Sequence, residues 1–140
     1  MRYVFAVITL VMLAFVAVQY NDADGPLWAL FYGVSAIWAG IAAVRPPLLA
    51  GRVGRALLGI CVLAAVGLTI WLWPPVAGWW QEQVWGMGMI DPRAAEIAEL
   101  ARESMGLMIA TAVLLAVLAR SLSMDASPAV QGRSSMPQSS

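Results

Sequence analysis

The sequence predicts an all-α polytopic membrane protein, with four transmembrane helices in an antiparallel bundle and both termini in the cytoplasm. Three observations predict it. Of 140 residues, 61% are hydrophobic and only 11% charged, with mean hydropathy +0.79. A soluble domain carries about a quarter charged residues, so this chain is short of what a water-facing surface requires. The apolar residues gather into charge-free runs of membrane-spanning scale, and the arginines fall mainly on one side of those runs.

Composition also excludes function classes. Net charge is zero, with eight basic residues and eight acids, so nothing points to nucleic acid. The chain has no histidine, which removes the commonest metal ligand, proton shuttle and axial macrocycle ligand. No cofactor is expected. Cys61 is the single cysteine and sits within an apolar run, so it reads as a small buried residue with no partner for a disulfide.

The first helix is expected over residues 3–20. Arg2 followed by an apolar core resembles a secretory signal, but Gln19 stands where a cleavage site needs a small residue, so the segment is read as a retained span. Gln19 to Trp28 then forms a polar turn between two apolar runs. Asp22 or Asp24 is read as the N-cap of helix 2, with Pro26 in its first turn. In a sharper reading Asn21, Asp22 and Asp24 offer oxygens to a hard cation or polar partner.

Helix 2 is expected over residues 26–44. Ala29 and Gly33, Ala36 and Gly40, and Ser35, Ala39 and Ala43 put small residues four apart, which lets helices approach closely in lipid. Arg45-Pro46-Pro47 stops it, since a residue before proline is pushed out of the helical region. A basic loop to about Arg55 leads to helix 3 over residues 56–73, stopped at Pro74-Pro75. Trp28, Trp71, Trp73, Trp79, Trp80 and Trp85 fall at one membrane face, an aromatic belt with a partner-binding surface as the alternative.

Asp91-Pro92 opens the last helix, expected over residues 92–119. Glu96, Glu99 and Glu103 share a face, and Glu99–Arg102 is an i,i+3 pair worth a few tenths, about 0.2–0.5 kcal/mol, where exposed. The uncharged run Ser104 to Ala119 spans only about 24 Å against a hydrocarbon core near 30 Å. Glu103 is therefore expected at the outer hydrocarbon edge, hydrogen-bonded to Gln19, Tyr20 or Asn21. Residues 1–120 form the transmembrane domain, and the serine-rich residues 121–140 a polar, disordered tail.

Four spans place Arg2, Arg45, Arg52, Arg55, Arg120 and Arg133 on one side, and seven of the eight acids on the other. The positive-inside rule then makes the termini cytoplasmic and the acidic turn outward-facing, with the chain in a bacterial inner (cytoplasmic) membrane.

Val18-Gln19-Tyr20-Asn21-Asp22-Ala23-Asp24, followed by Leu27-Trp28 and Tyr32-Gly33, resembles the first hairpin of the transmembrane protein 220 family. Glu99-x-x-Arg102-Glu103-x-x-Gly106-Leu107 resembles the start of that family's last helix. Ala23 stands where the family more often has proline, and residues 74–90 have no counterpart. The resemblance implies a small four-span membrane protein and no particular reaction. Its matching positions are Asn21, Asp22, Asp24, Trp28, Tyr32, Arg102, Glu103 and Gly106.

No nucleophile–base pair, redox motif or phosphate loop appears, so the chain reads as non-enzymatic. The preferred role is an accessory or structural subunit packed against a larger membrane assembly. Its contacts would be with lipids and a membrane-protein partner or a second copy, through Trp28, Tyr32, Gly33, Gly40, Gly106, Trp79, Trp80 and Trp85. The alternative is an outward acidic pocket for a cation or small polar solute, drawn from Gln19, Asn21, Asp22, Asp24, Glu99, Arg102 and Glu103.

Overall fold

A computed structural model of the chain describes residues 1–21, 24–73 and 92–126, with the backbone alone at 21, 92–97, 125 and 126. These residues form α1 (Arg2–Val18), a 3-10 turn (Gln19–Asn21), α2 (Gly25–Val44), α3 (Pro47–Ala50), α4 (Arg52–Trp71) and α5 (Pro92–Ala126). There is no strand among them. Among the described residues three helical stretches are long and apolar enough to cross a membrane: Gly25–Val44, Arg52–Trp71 and Ala98–Met124. The apolar α1 is shorter, at 17 residues.

α1 and α2 form an antiparallel hairpin. A Cβ built on Gly40 would lie 3.7 Å from Thr9, and one on Gly33 would lie 4.0 Å from Val16. Both glycines of the small-residue pattern therefore face α1. Ser35, on another face of α2, donates its hydroxyl to the Ala110 carbonyl of α5 at 3.2 Å. Tyr32 meets Gly106 one turn away, so residue numbers rise together on α2 and α5 and the two helices run parallel. α4 packs antiparallel on α5: Thr69 meets Thr111 at 2.9 Å, while Arg55 near the other end meets Ser121.

The packing order is thus α1, α2, α5, α4, with the extensive contacts confined to neighbours in that order. An antiparallel bundle was expected. The hairpins are antiparallel, but the seam between them joins two helices that run the same way. Small residues make this possible: Ser35, Ala36, Ala39, Ala110 and Gly106 leave little between the two backbones. The start of α1 and the end of α5 consequently lie at one end, called the terminus end; the α1–α2 connection lies at the turn end.

Three boundaries differ from expectation. The segment 45–55 is not simply a loop. Pro46 and Pro47 start a short helix, a position where a missing N–H costs nothing, and α4 begins at Arg52. α5 continues through Arg120 to Ala126 instead of ending near Ala119. The membrane-scale part of the helix, Ala98–Met124, includes Glu99, Arg102, Glu103 and Arg120, so its uncharged run is still Ser104–Ala119. Ser121, expected to open the tail, is fully buried and donates to the Leu49 carbonyl at 2.7 Å.

Among the described residues two large apolar clusters fill the interior, with a small third one at Ala98 and Ala101. Phe5, Leu49, Leu58, Leu114 and Val117 belong to the terminus end. Met12, Trp28, Tyr32, Ala36 and Leu107 belong to the turn end. Above this second cluster the helices part.

Candidate functional site

The turn-end opening is a cavity of about 330 Å³ lined by Gln19, Asp24, Trp28, Tyr32, Glu99, Arg102 and Glu103. Its walls follow from helical spacing. Asp24, Trp28 and Tyr32 are four residues apart and stack down one face of α2. Glu99, Arg102, Glu103 and Gly106 are three or four apart on α5. The parallel seam sets these two faces side by side.

Asp24 occupies the N-cap position of α2, yet its side chain caps no backbone N–H. Its Oδ2 accepts the indole N–H of Trp28 one turn deeper. The expected capping role is therefore replaced by a side-chain bond that turns the carboxylate toward the cavity wall. Trp28 is not part of an outward aromatic belt; it is 6% exposed and packs on Phe31 and Tyr32, with ring centroids 5.8 and 6.3 Å away. Trp71 and Trp73, by contrast, are exposed.

Tyr32 forms the floor. It is 7% exposed and held edge-on by Phe15, with centroids 5.3 Å apart. Its hydroxyl lies against the Gly106 backbone where a Cβ would stand, so any side chain at 106 would have to displace Tyr32. No hydrogen bond to the Tyr32 hydroxyl is present among the described residues.

Glu103 is half-buried, and the charges it meets are Asp24, Glu99 and Arg102. The expected bond to the Gln19–Asn21 turn is not seen among the described residues. Gln19 shares the cavity, whereas Tyr20 is 82% exposed and points elsewhere. The group facing Glu103 is Asp24, just beyond that turn. No set of three or more potential metal ligands converges among the described residues.

Of the site residues read from sequence, Gln19, Asp24, Glu99, Arg102 and Glu103 are brought together, with Trp28 and Tyr32 joining them from the proposed packing set. Gly33 and Gly40 face α1, and Gly106 lies under Tyr32. The Asn21 side chain, Asp22, Trp79, Trp80 and Trp85 lie outside the described residues. Sequence reasoning missed Phe15 behind Tyr32; its only signal was helical alignment with Met12 on α1.

A second, apolar groove of about 180 Å³ lies between α2 and α4 over α5, lined by residues including Phe31, Cys61 and Leu107. Cys61 is half-buried there with a free thiol.

Residues 10–119 match the family model described as "Transmembrane family 220, helix". No curated protein and no solved structure matches the chain. The family match and the three apolar helices make this an integral membrane protein.

Proposed function

The chain belongs to transmembrane family 220, and from that premise we propose that it is a non-enzymatic membrane protein binding a small polar solute in its turn-end cavity. The supporting observation is the cavity itself: about 330 Å³, walled by three carboxyl groups, a guanidinium, an amide and two aromatic rings. Convergent polar groups in a concave, partly aromatic pocket are what a small-ligand site requires. In this reading α1 with its 3-10 extension is a fourth span, and the arginine-rich terminus end is cytoplasmic in a bacterial inner membrane. The cavity then opens outward.

A second reading, the accessory subunit, is supported by α4. Only 17% of its most apolar window is buried within the chain. That leaves a long lateral face for lipid or another membrane protein.

Native mass spectrometry of the full chain, released from its own membrane in mild detergent, separates the two. Solute binding predicts a small polar adduct that is lost in Glu103→Gln. Stoichiometric association with another protein, with no adduct in either form, would reject the solute-binding reading in favour of the accessory one.

A further inference from the structure

We propose that the turn-end cavity selects an organic ammonium group, an inference that rests on the solute-binding reading above and names its ligand class. Three observations carry it. The first is charge: three carboxyl groups, Asp24, Glu99 and Glu103, stand against the single guanidinium of Arg102, so the lining is acidic. The second is the absence, among the described residues, of any set of three potential metal ligands that converge. These carboxylates line a wall; they do not enclose a point, as a bare divalent ion would require.

The third observation is Tyr32. A phenol this deeply buried ordinarily finds a partner for its hydroxyl. Here the side chain is 7% exposed, lines the cavity, and has no hydrogen-bond partner among the described residues. Gly106 beneath it offers no side chain that could supply one. The hydroxyl oxygen is an open acceptor at the floor, and the Tyr32 ring lies beside that of Trp28, with centroids 6.3 Å apart. Carboxylates above and aromatic rings below are the two features that bind an alkylammonium. The first supply Coulomb attraction and hydrogen-bond acceptors, the second the negative ring face that a weakly hydrated cation prefers. A small inorganic cation keeps its water and gains less from the rings. A neutral solute leaves the carboxylates without a counter-charge.

The same ammonium chemistry is carried by free amines and by ethanolamine or choline headgroups of lipids, which lie at this level of a bilayer. Both are tested with the full-length chain. In maltoside micelles, thermal unfolding and tryptophan emission are followed during titration with ethanolammonium and tetramethylammonium chloride. Sodium chloride at matched ionic strength, calcium chloride and glycerol serve as comparisons. The ammonium salts alone should give a saturable response. Glu103→Gln should weaken it about tenfold or more, as expected for losing a hydrogen bond to a charged partner, and Tyr32→Phe about threefold. Arg102→Gln, which removes the opposing cation, should tighten binding, so the inference stays testable if Glu103→Gln fails to fold.

An equal response to calcium or sodium, or weaker ammonium binding in Arg102→Gln, overturns the ammonium assignment. A response to glycerol alone, lost in Glu103→Gln, overturns it while leaving a solute pocket in place. No response to any probe, with variants identical to the parent, overturns both readings. Repeating the titration in nanodiscs of phosphatidylglycerol with and without phosphatidylethanolamine assigns the source. A response to free ethanolammonium in phosphatidylglycerol alone indicates a soluble amine. Stabilisation by phosphatidylethanolamine without such a response indicates the headgroup.

Discussion

The two ends of the α2–α5 seam use similar residues to opposite effect. At the terminus end the buried Ser121 hydroxyl is spent on other parts of the chain. Ser121 donates to the Leu49 carbonyl and accepts from Arg55 Nε at 3.3 Å, and α3 closes over both. At the turn end Asp24 binds Trp28 and faces Glu103, while Glu99 and the Tyr32 side chain border the open cavity. Both ends also place one glycine under a close neighbour. At Gly54 a Cβ would collide with the Leu48 carbonyl oxygen; at Gly106 it would meet the tip of Tyr32. The first contact is with backbone, which cannot move aside; the second is with a side chain. The difference teaches a division of labour, in which the closed end supplies stability and the open end retains unsatisfied chemistry.

This contrast orders the expected effects of substitution. Gly54→Ala should be the most damaging, by about 3 kcal/mol, because α3 must lift from α4. Reversible unfolding in mixed micelles measures it, and ammonium affinity should be unchanged in whatever fraction remains folded. Gly106→Ala should cost about 2 kcal/mol in the same assay and also abolish ligand response, since Tyr32 is displaced. Gly67→Ala, with nothing within 4 Å of the added carbon, should gain roughly 0.5–1 kcal/mol from helix propensity and serves as the control for steric cost.

Ser121→Ala removes a buried hydrogen bond and leaves the Leu49 carbonyl without that donor, a loss of about 1–2 kcal/mol. It too should leave binding untouched. Among the polar substitutions the smallest stability effect is expected at Glu103→Gln, within about 0.5 kcal/mol, since the half-buried carboxyl stands among other acids and its main loss is in affinity. If Glu103→Gln proved as destabilising as Ser121→Ala, the division between the ends would fail.

Much of this was legible in the residues themselves. Charge-free runs marked the helices, but the partner of Glu103 was expected in Gln19–Asn21 and is Asp24 instead. Azimuth and partner choice were not legible. α2 carries small residues on more than one face, and periodicity says that such a face meets something without saying what. Gly33 and Gly40 meet α1, while Ser35 meets α5. Trp28 was read by its depth along the helix, which suits a belt, when its direction around the helix buries it. Ser121 and its neighbours looked like tail because serine and arginine are poor lipid-facing residues. A distant carbonyl, that of Leu49, makes Ser121 an interior residue, and local composition holds no trace of it.

The order α1, α2, α5, α4 has one more consequence. The molecule is two hairpins sharing a single line of attachment, and the cavity sits astride that line. Gln19, Asp24, Trp28 and Tyr32 come from the first half, Glu99, Arg102 and Glu103 from the second. A guest held by both would fasten the halves together, so occupancy and assembly become one linked equilibrium.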